Sequence, residues 1–107
     1  MTTAHFDELI HPSTRLSIVS LLAAADWAEF AFLRDQLGMS DSALSKQLST
    51  LEEAGYVHID KPVRDSRRRV RARLTPTGRE AFEGHVAALL EIVGTANGEH
   101  SVASQTA

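Results

Sequence analysis

The sequence predicts a mostly helical α+β domain, in which a three-helix core is followed by a two-stranded hairpin and a last helix. Three observations predict it. Apolar residues recur at helical spacing in several separate stretches. Two short runs alternate apolar and polar residues on either side of an arginine-rich loop. Pro12, Gly38, Gly55 and Pro76 stand at the junctions, where residues of these types begin and end helices.

Length and composition set the outer bounds. A chain of 107 residues allows one domain and one modest core. A hydrophobic content of 43% with 23% charged residues is that of an ordinary soluble globular domain. No apolar run approaches the roughly 18–20 residues needed to span a bilayer, so no membrane partner is expected. The segment MTTAHFDELIH lacks a basic region followed by an apolar stretch, which predicts no secretory signal and a cytoplasmic location. The absence of cysteine excludes disulfides, thiol redox switching and cysteine metal sites.

In chain order, Phe6, Leu9 and Ile10 suggest a short amphipathic turn ahead of Pro12. Pro12 is expected at the first position of a helix reaching about Ala24, with Ile18, Leu21, Leu22 and Ala25 inward. Ser13, Thr14 and Arg15 fall in its first turn, where free N–H groups can either be capped or bind a phosphate. Trp27 to Phe30 reads as a small strand. Residues 31–37 form a short helix burying Phe32, Leu33 and Leu37, and Gly38 ends it. Ser40 then caps a second helix to Ala54, whose Leu44, Leu48 and Leu51 lie on one stripe. Its other side carries Ser42, Ala43, Lys46, Ser49 and Thr50. A helix, a Gly-containing turn and a second helix over 31–54 have helix-turn-helix spacing. A helix anchored by leucines, with a small polar outer face, fits the DNA major groove.

Beyond Gly55, Val57 and Ile59 alternate with His58 and Asp60. Val70, Ala72 and Leu74 alternate with Arg69, Arg71 and Arg73. Residues 62–68 form the loop between these strands. From Lys61 to Arg73 seven basic side chains face Asp65 alone, a local charge of +6 on a chain of net charge −3. Such a patch is an electrostatic footprint for nucleic acid that the overall balance hides. Thr75 and Pro76 open a last helix, 76–93, with Phe82, Val86, Leu89 and Val93 on one face and Leu90 and Ile92 widening it. Residues 95–107 are small and polar and predict a disordered tail after a domain spanning 1–94.

This order of elements is the winged helix-turn-helix plan, with 56–74 as the wing. FAFLRDQLGMSDSALSKQLSTLEEAGYVHIDK and RLTPTGREAF resemble the MarR-type winged-helix transcriptional regulators, closest to their compact stand-alone DNA-binding domains. The resemblance covers roughly residues 6–92. It implies a homodimeric, sequence-specific regulator of double-stranded DNA, usually a repressor, reading an inverted repeat. It implies groove-facing roles for Ser42, Ala43, Ser45, Lys46, Gln47 and Thr50, where lysine can donate to guanine and glutamine can pair with adenine. Arg64, Arg67, Arg68 and Arg69 become phosphate or minor-groove contacts. Arg71 and Arg73 are left open between DNA and pairing with acids. Ser13 and Thr14 join the interface as phosphate contacts. Dimerisation falls to Phe6, Leu9, Ile10, Phe82, Val86, Leu89, Leu90 and Val93, whose alternative role is to cover the monomer core.

The same residues bear on other functions. His85 with Glu80 and Glu83 forms no compact triad, and His5, His11, His58 and His100 are scattered, so neither metal nor cofactor is expected. No nucleophile–base constellation or phosphate loop suggests an enzyme. A protein-interaction winged helix has no need of the five arginines between Arg64 and Arg71. Non-specific architectural DNA binding stays open, because the wing supplies charge whether or not the helix reads bases. The residues assign no small-molecule effector.

Overall fold

The computed structural model describes residues 3–61 and 69–106, with side chains described as far as residue 94. The elements are α1 (Ser13–Ala23), β1 (Ala28–Glu29), α2 (Phe30–Leu37), α3 (Asp41–Glu53), β2 (Val57–Asp60), β3 (Arg71–Leu74) and α4 (Pro76–Thr106). This is the expected winged-helix arrangement. The arginine-rich wing loop, with Arg64, Arg67 and Arg68, lies outside the described residues.

Pro12 precedes α1 as its N-cap, one position earlier than expected, and its carbonyl accepts the Leu16 N–H at 2.9 Å. No side chain caps this helix, so its first N–H groups stay open. Ile18, Val19 and Leu22 are buried, whereas Leu21 is half-buried. Ala25 is exposed, because α1 has ended at Ala23 and the helical stripe no longer reaches it.

In α2 the inward side chains are Phe30, Leu33 and Leu37, at i, i+3 and i+7. Phe32 is 52% exposed, contrary to expectation. Adjacent helical residues point about 100° apart, so Phe32 and Leu33 cannot both face the core. Gly38 leaves the helix with φ 62°, a left-handed conformation that glycine adopts without a Cβ penalty. Ser40 Oγ accepts the Ala43 N–H at 3.1 Å and starts α3. Leu44 and Leu51 are fully buried and Leu48 nearly so. Each contributes on the order of 2 kcal/mol of burial, so apolar packing rather than helix propensity holds α3 in place.

The sheet has the order β1-β3-β2 and both pairings are antiparallel. Its register pairs Val57 with Leu74 and Asp60 with Arg71 in one ladder, and Ala28 with Ala72 in the other. Alternation turns Ala28, Val57, Ala72 and Leu74 onto the core formed with α1, α2 and α3. Glu29, His58, Asp60, Arg71 and Arg73 take the other side.

The Thr75 hydroxyl accepts the Gly78 N–H at 2.9 Å and donates to the Gly55 carbonyl at 2.6 Å, which ties the start of α4 to the exit of α3. α4 runs past Val93, where the sequence expectation ends it. Its backbone stays helical to Thr106. Gly94 does not adopt the positive φ seen at Gly38 and Gly55, so it gives the chain no helical exit. A glycine within a helix costs only about 1 kcal/mol, and no proline follows to force a break.

The N-terminal segment straps across α4. The His5 N–H donates to the Gly84 carbonyl at 2.9 Å. Asp7 is buried, and its carboxylate accepts from the N–H groups of Leu9 and Ile10 and, at 2.6 Å, from the Tyr56 hydroxyl. That hydrogen bond, with burial and the Asp7 charge, pushes the Tyr56 pKa up to about 12. The Asp7 N–H donates to His85 Nδ1 at 3.0 Å, which places the imidazole proton on Nε2. His85 is fully buried against the rings of Phe6 and His11, with centroids 4.8 and 5.4 Å away.

Burial lowers the His85 pKa, the charge of His11 adds to this, and Asp7 opposes it. The folded state therefore favours neutral His85. Its contribution to stability should be complete above the unfolded-state pKa of about 6.5 and be lost progressively as the pH falls below that value. Thermal melts from pH 8 to pH 5 should show a steeper acid loss in the wild type than in His85→Gln. Equal slopes would exclude His85 as the source.

Candidate nucleic-acid interface

The candidate interface lies on the outward side of α3. Ser42, Ser45 and Lys46 are exposed, and Ala43, Gln47 and Thr50 are half-buried along their flank. The six positions are not chemically equivalent. The Ala43 N–H is taken by the Ser40 cap, which leaves its methyl group as the contact surface. The Thr50 hydroxyl donates back to the Lys46 carbonyl at 3.1 Å. Ser45 turns toward a cleft between α3 and the sheet, lined also by Asp41, Glu52, Ile59 and Lys61. Gln47 Oε1 accepts from Arg15 Nη1 at 2.9 Å. Lys46 is the one exposed cation on this face of α3 among the described residues.

The helix-turn-helix is clipped from outside. Arg34 of α2 pairs with Asp35 at 2.9 Å and reaches Asp41, the first residue of α3, at 3.0 Å. Such solvent-exposed pairs are strongly screened by water and salt, so they tune the geometry that the leucines set.

At the described root of the wing, the arginines divide. Arg69 is exposed and pairs loosely with Glu29 at 3.4 Å. Arg71 pairs with Asp60 at 2.9 Å, and its guanidinium lies 4.5 Å from the Trp27 ring centroid. Its charge is thus engaged within the protein by an acid and by an aromatic face. Arg73 is exposed and has no ion pair among the described residues. Ser13 and Thr14 are exposed at the uncapped start of α1.

Against this geometry, the sequence over residues 14–93 matches the family described as the winged helix DNA-binding domain. The chain belongs to that family. An uncharacterised protein of Methanocaldococcus jannaschii is 29% identical to this winged helix domain over 85 residues, covering 79% of this chain and 92% of its own. The transcriptional regulator homologue protein from Pyrococcus horikoshii OT3 superposes with a TM-score of 0.79 at 22% identity, over 85% of this chain and 90% of that one. S. aureus MepR, solved in a complex with DNA, superposes with a TM-score of 0.69 at 17% identity, over 92% and 81% of the two chains. At these identities the two solved structures establish a shared fold.

The residues assigned to dimerisation are spread over very different environments in this winged helix domain. Ile10 is completely buried within its own chain, which leaves it no surface for a partner. Leu9 and Phe82 pack against the core, and Val86 and Leu89 are half-buried. Phe6 is 39% exposed and sits against His11 and His85. Leu90 and Val93 are open, as is Ile92. No helix among the described residues is long and apolar enough to cross a membrane.

Sequence reasoning missed two features. It placed Arg15 only as a backbone donor, and it left Asp7, Tyr56 and His85 unconnected. The partners of these residues lie up to 78 positions away, beyond the reach of any local pattern.

Proposed function

We propose that this winged helix domain is a sequence-specific transcriptional repressor that binds an inverted DNA repeat as a homodimer. The observation that carries the reading is α3: three buried leucines fix it, and Ser42, Lys46 and Gln47 line its outer side. Two copies would place α3 in successive major grooves about one helical turn, 10–11 base pairs, apart. Lys46 donates to guanine acceptors, and the arginine wing grips phosphates or the minor groove. The uncapped start of α1, with Ser13 and Thr14, receives a further phosphate.

The dimer pairs through the distal part of α4, where Leu90, Ile92 and Val93 are exposed, with Phe6 at its margin. Three large aliphatic side chains left in water on one helix favour a partner, and a second copy also supplies the second half-site. The protein works in the cytoplasm, at the nucleoid, and acts by occupying DNA rather than by catalysis. The DNA-bound S. aureus MepR of the same fold supports this partner class.

Titration against a random duplex and against a selected duplex pool, at two salt concentrations, tests the reading. Enrichment of an inverted repeat by roughly 10³-fold over random sequence is the expected result. Lys46→Ala should lower specific affinity by roughly tenfold and relax one position of each half-site. Equal, salt-steep binding to all sequences would instead mark an architectural binder. No binding at all would move the function to a protein partner.

A further inference from the structure

Arg15 is anchored on both sides. Its Nε donates to the Leu9 carbonyl at 2.6 Å, and its Nη1 donates to Gln47 Oε1 at 2.9 Å. The first bond fixes the guanidinium to the N-terminal turn, which is itself held by the Asp7 carboxylate through the N–H groups of Leu9 and Ile10. The second reaches across to α3, 32 residues away in sequence. A guanidinium has only donors, so the amide must turn its oxygen toward Arg15. The orientation of the Gln47 amide therefore follows from chemistry and is not open to the usual exchange of its O and N atoms. Its amide nitrogen has no hydrogen-bond partner among the described residues.

We propose that Arg15 is a positioning residue for base recognition, holding Gln47 so that it offers the groove its NH2 donor and withholds its oxygen. The proposal rests on the reading that α3 lies in the major groove. Free glutamine recognises adenine with both ends of its amide, accepting from N6 and donating to N7. With one lone pair of its oxygen taken by Arg15 and its amide held by that bond, Gln47 is restrained from that two-ended pairing. The remaining donor suits a base edge made of acceptors, guanine O6 and N7 or thymine O4. Arg15 thus changes the base preferred at one position of each half-site without touching that base.

The competing role for Arg15 is a phosphate contact beside Ser13 and Thr14 at the start of α1. The two roles differ in what they do to specificity and to salt dependence. A phosphate contact affects all sequences alike and contributes about one unit to the salt slope. A positioning role changes the preference at one base pair and leaves the slope alone.

Selection from a randomised duplex pool, by the full chain, tests this with the wild type, Arg15→Met, Gln47→Ala and the double variant. Methionine keeps an apolar stem of similar length and removes the donors. Circular dichroism and melting curves confirm that each variant is folded, and Arg15→Lys serves as a milder second substitution. The wild type is expected to prefer guanine or thymine over adenine opposite Gln47, by roughly tenfold. Arg15→Met should shift that position toward adenine by a similar factor, with an unchanged salt slope and unchanged preferences elsewhere. In the double variant the position should behave as in Gln47→Ala alone. A wild-type preference that survives Arg15→Met would overturn the proposal, as would uniform weakening with a reduced salt slope. If the wild type enriches no sequence, the groove reading itself has failed and the proposal falls with it.

Discussion

Gly78→Ala is expected to destabilise the domain by about 2–3 kcal/mol, lowering its melting temperature by roughly 10–20 °C. By helix propensity alone the substitution should do the reverse, since alanine is favoured over glycine inside a helix by about 1 kcal/mol. The geometry decides the sign. A Cβ at Gly78 would lie 2.0 Å from the Tyr56 carbonyl oxygen and 2.8 Å from its carbon. Those are backbone atoms and cannot rotate aside as a side chain would. The same carbonyl accepts the Thr75 N–H at 3.0 Å, so moving it also disturbs the cap of α4. Gly94→Ala is the control, because a Cβ there meets nothing within 4 Å in the same helix. It should raise stability by up to about 1 kcal/mol. Melting curves of the two variants check both statements. A Gly78→Ala protein as stable as the wild type would mean that α4 and Tyr56 do not make this close approach.

Arg67→Ala combined with Arg68→Ala is expected to weaken DNA binding by roughly tenfold or more at moderate salt while leaving base preference in place. If each arginine contacts one phosphate, a dimer loses four contacts. The plot of log affinity against log salt should then flatten by about four units. This outcome separates the wing from α3, where Lys46→Ala is expected to change preference as well as affinity. Fluorescence anisotropy at several salt concentrations measures the slope. Wild-type binding by the double variant in moderate salt would show that the wing arginines have another use. Arg71, in β3, is the instructive comparison. Its charge is already taken up by Asp60 and Trp27, so Arg71→Ala should move the salt slope less than either Arg67→Ala or Arg68→Ala.

The elements of this domain were legible because their causes are local. The leucines at 44, 48 and 51 identify the inner face of α3 from spacing alone, and Ser40 and Gly55 mark its ends. The alternation of Val57 with Ile59 and of Ala72 with Leu74 places the two strands of the wing. Helical and strand periods are expressed over a few residues, and a cap needs only its neighbours. The same locality explains the misreadings. Phe32 and Leu33 are both apolar, and only the packing of α2 on α1 and α3 decides which one is covered. Ile10 reads as part of a short amphipathic turn and a dimer contact, yet it is fully buried within its own chain.

The charge pattern likewise marked the basic segment 61–73 but could not apportion it. Arg71 and Arg73 are two residues apart on one strand and look alike in sequence. Asp60 stands directly opposite Arg71 in the ladder, whereas His58 stands opposite Arg73. That register takes Arg71 into an internal ion pair and leaves Arg73 open.

Local spacing and capping chemistry thus settled which segments are helix and strand, which face of α3 is apolar, and where the positive charge is concentrated. Tertiary packing decided which functional groups meet. The Arg15–Gln47 bond, the Asp7–Tyr56–His85 network and the glycine-sized gap at residue 78 all join residues at least 22 positions apart. A hydrogen bond or a clash turns on a few tenths of an ångström between surfaces brought together by the whole core. A periodic pattern within one segment carries no record of that distance.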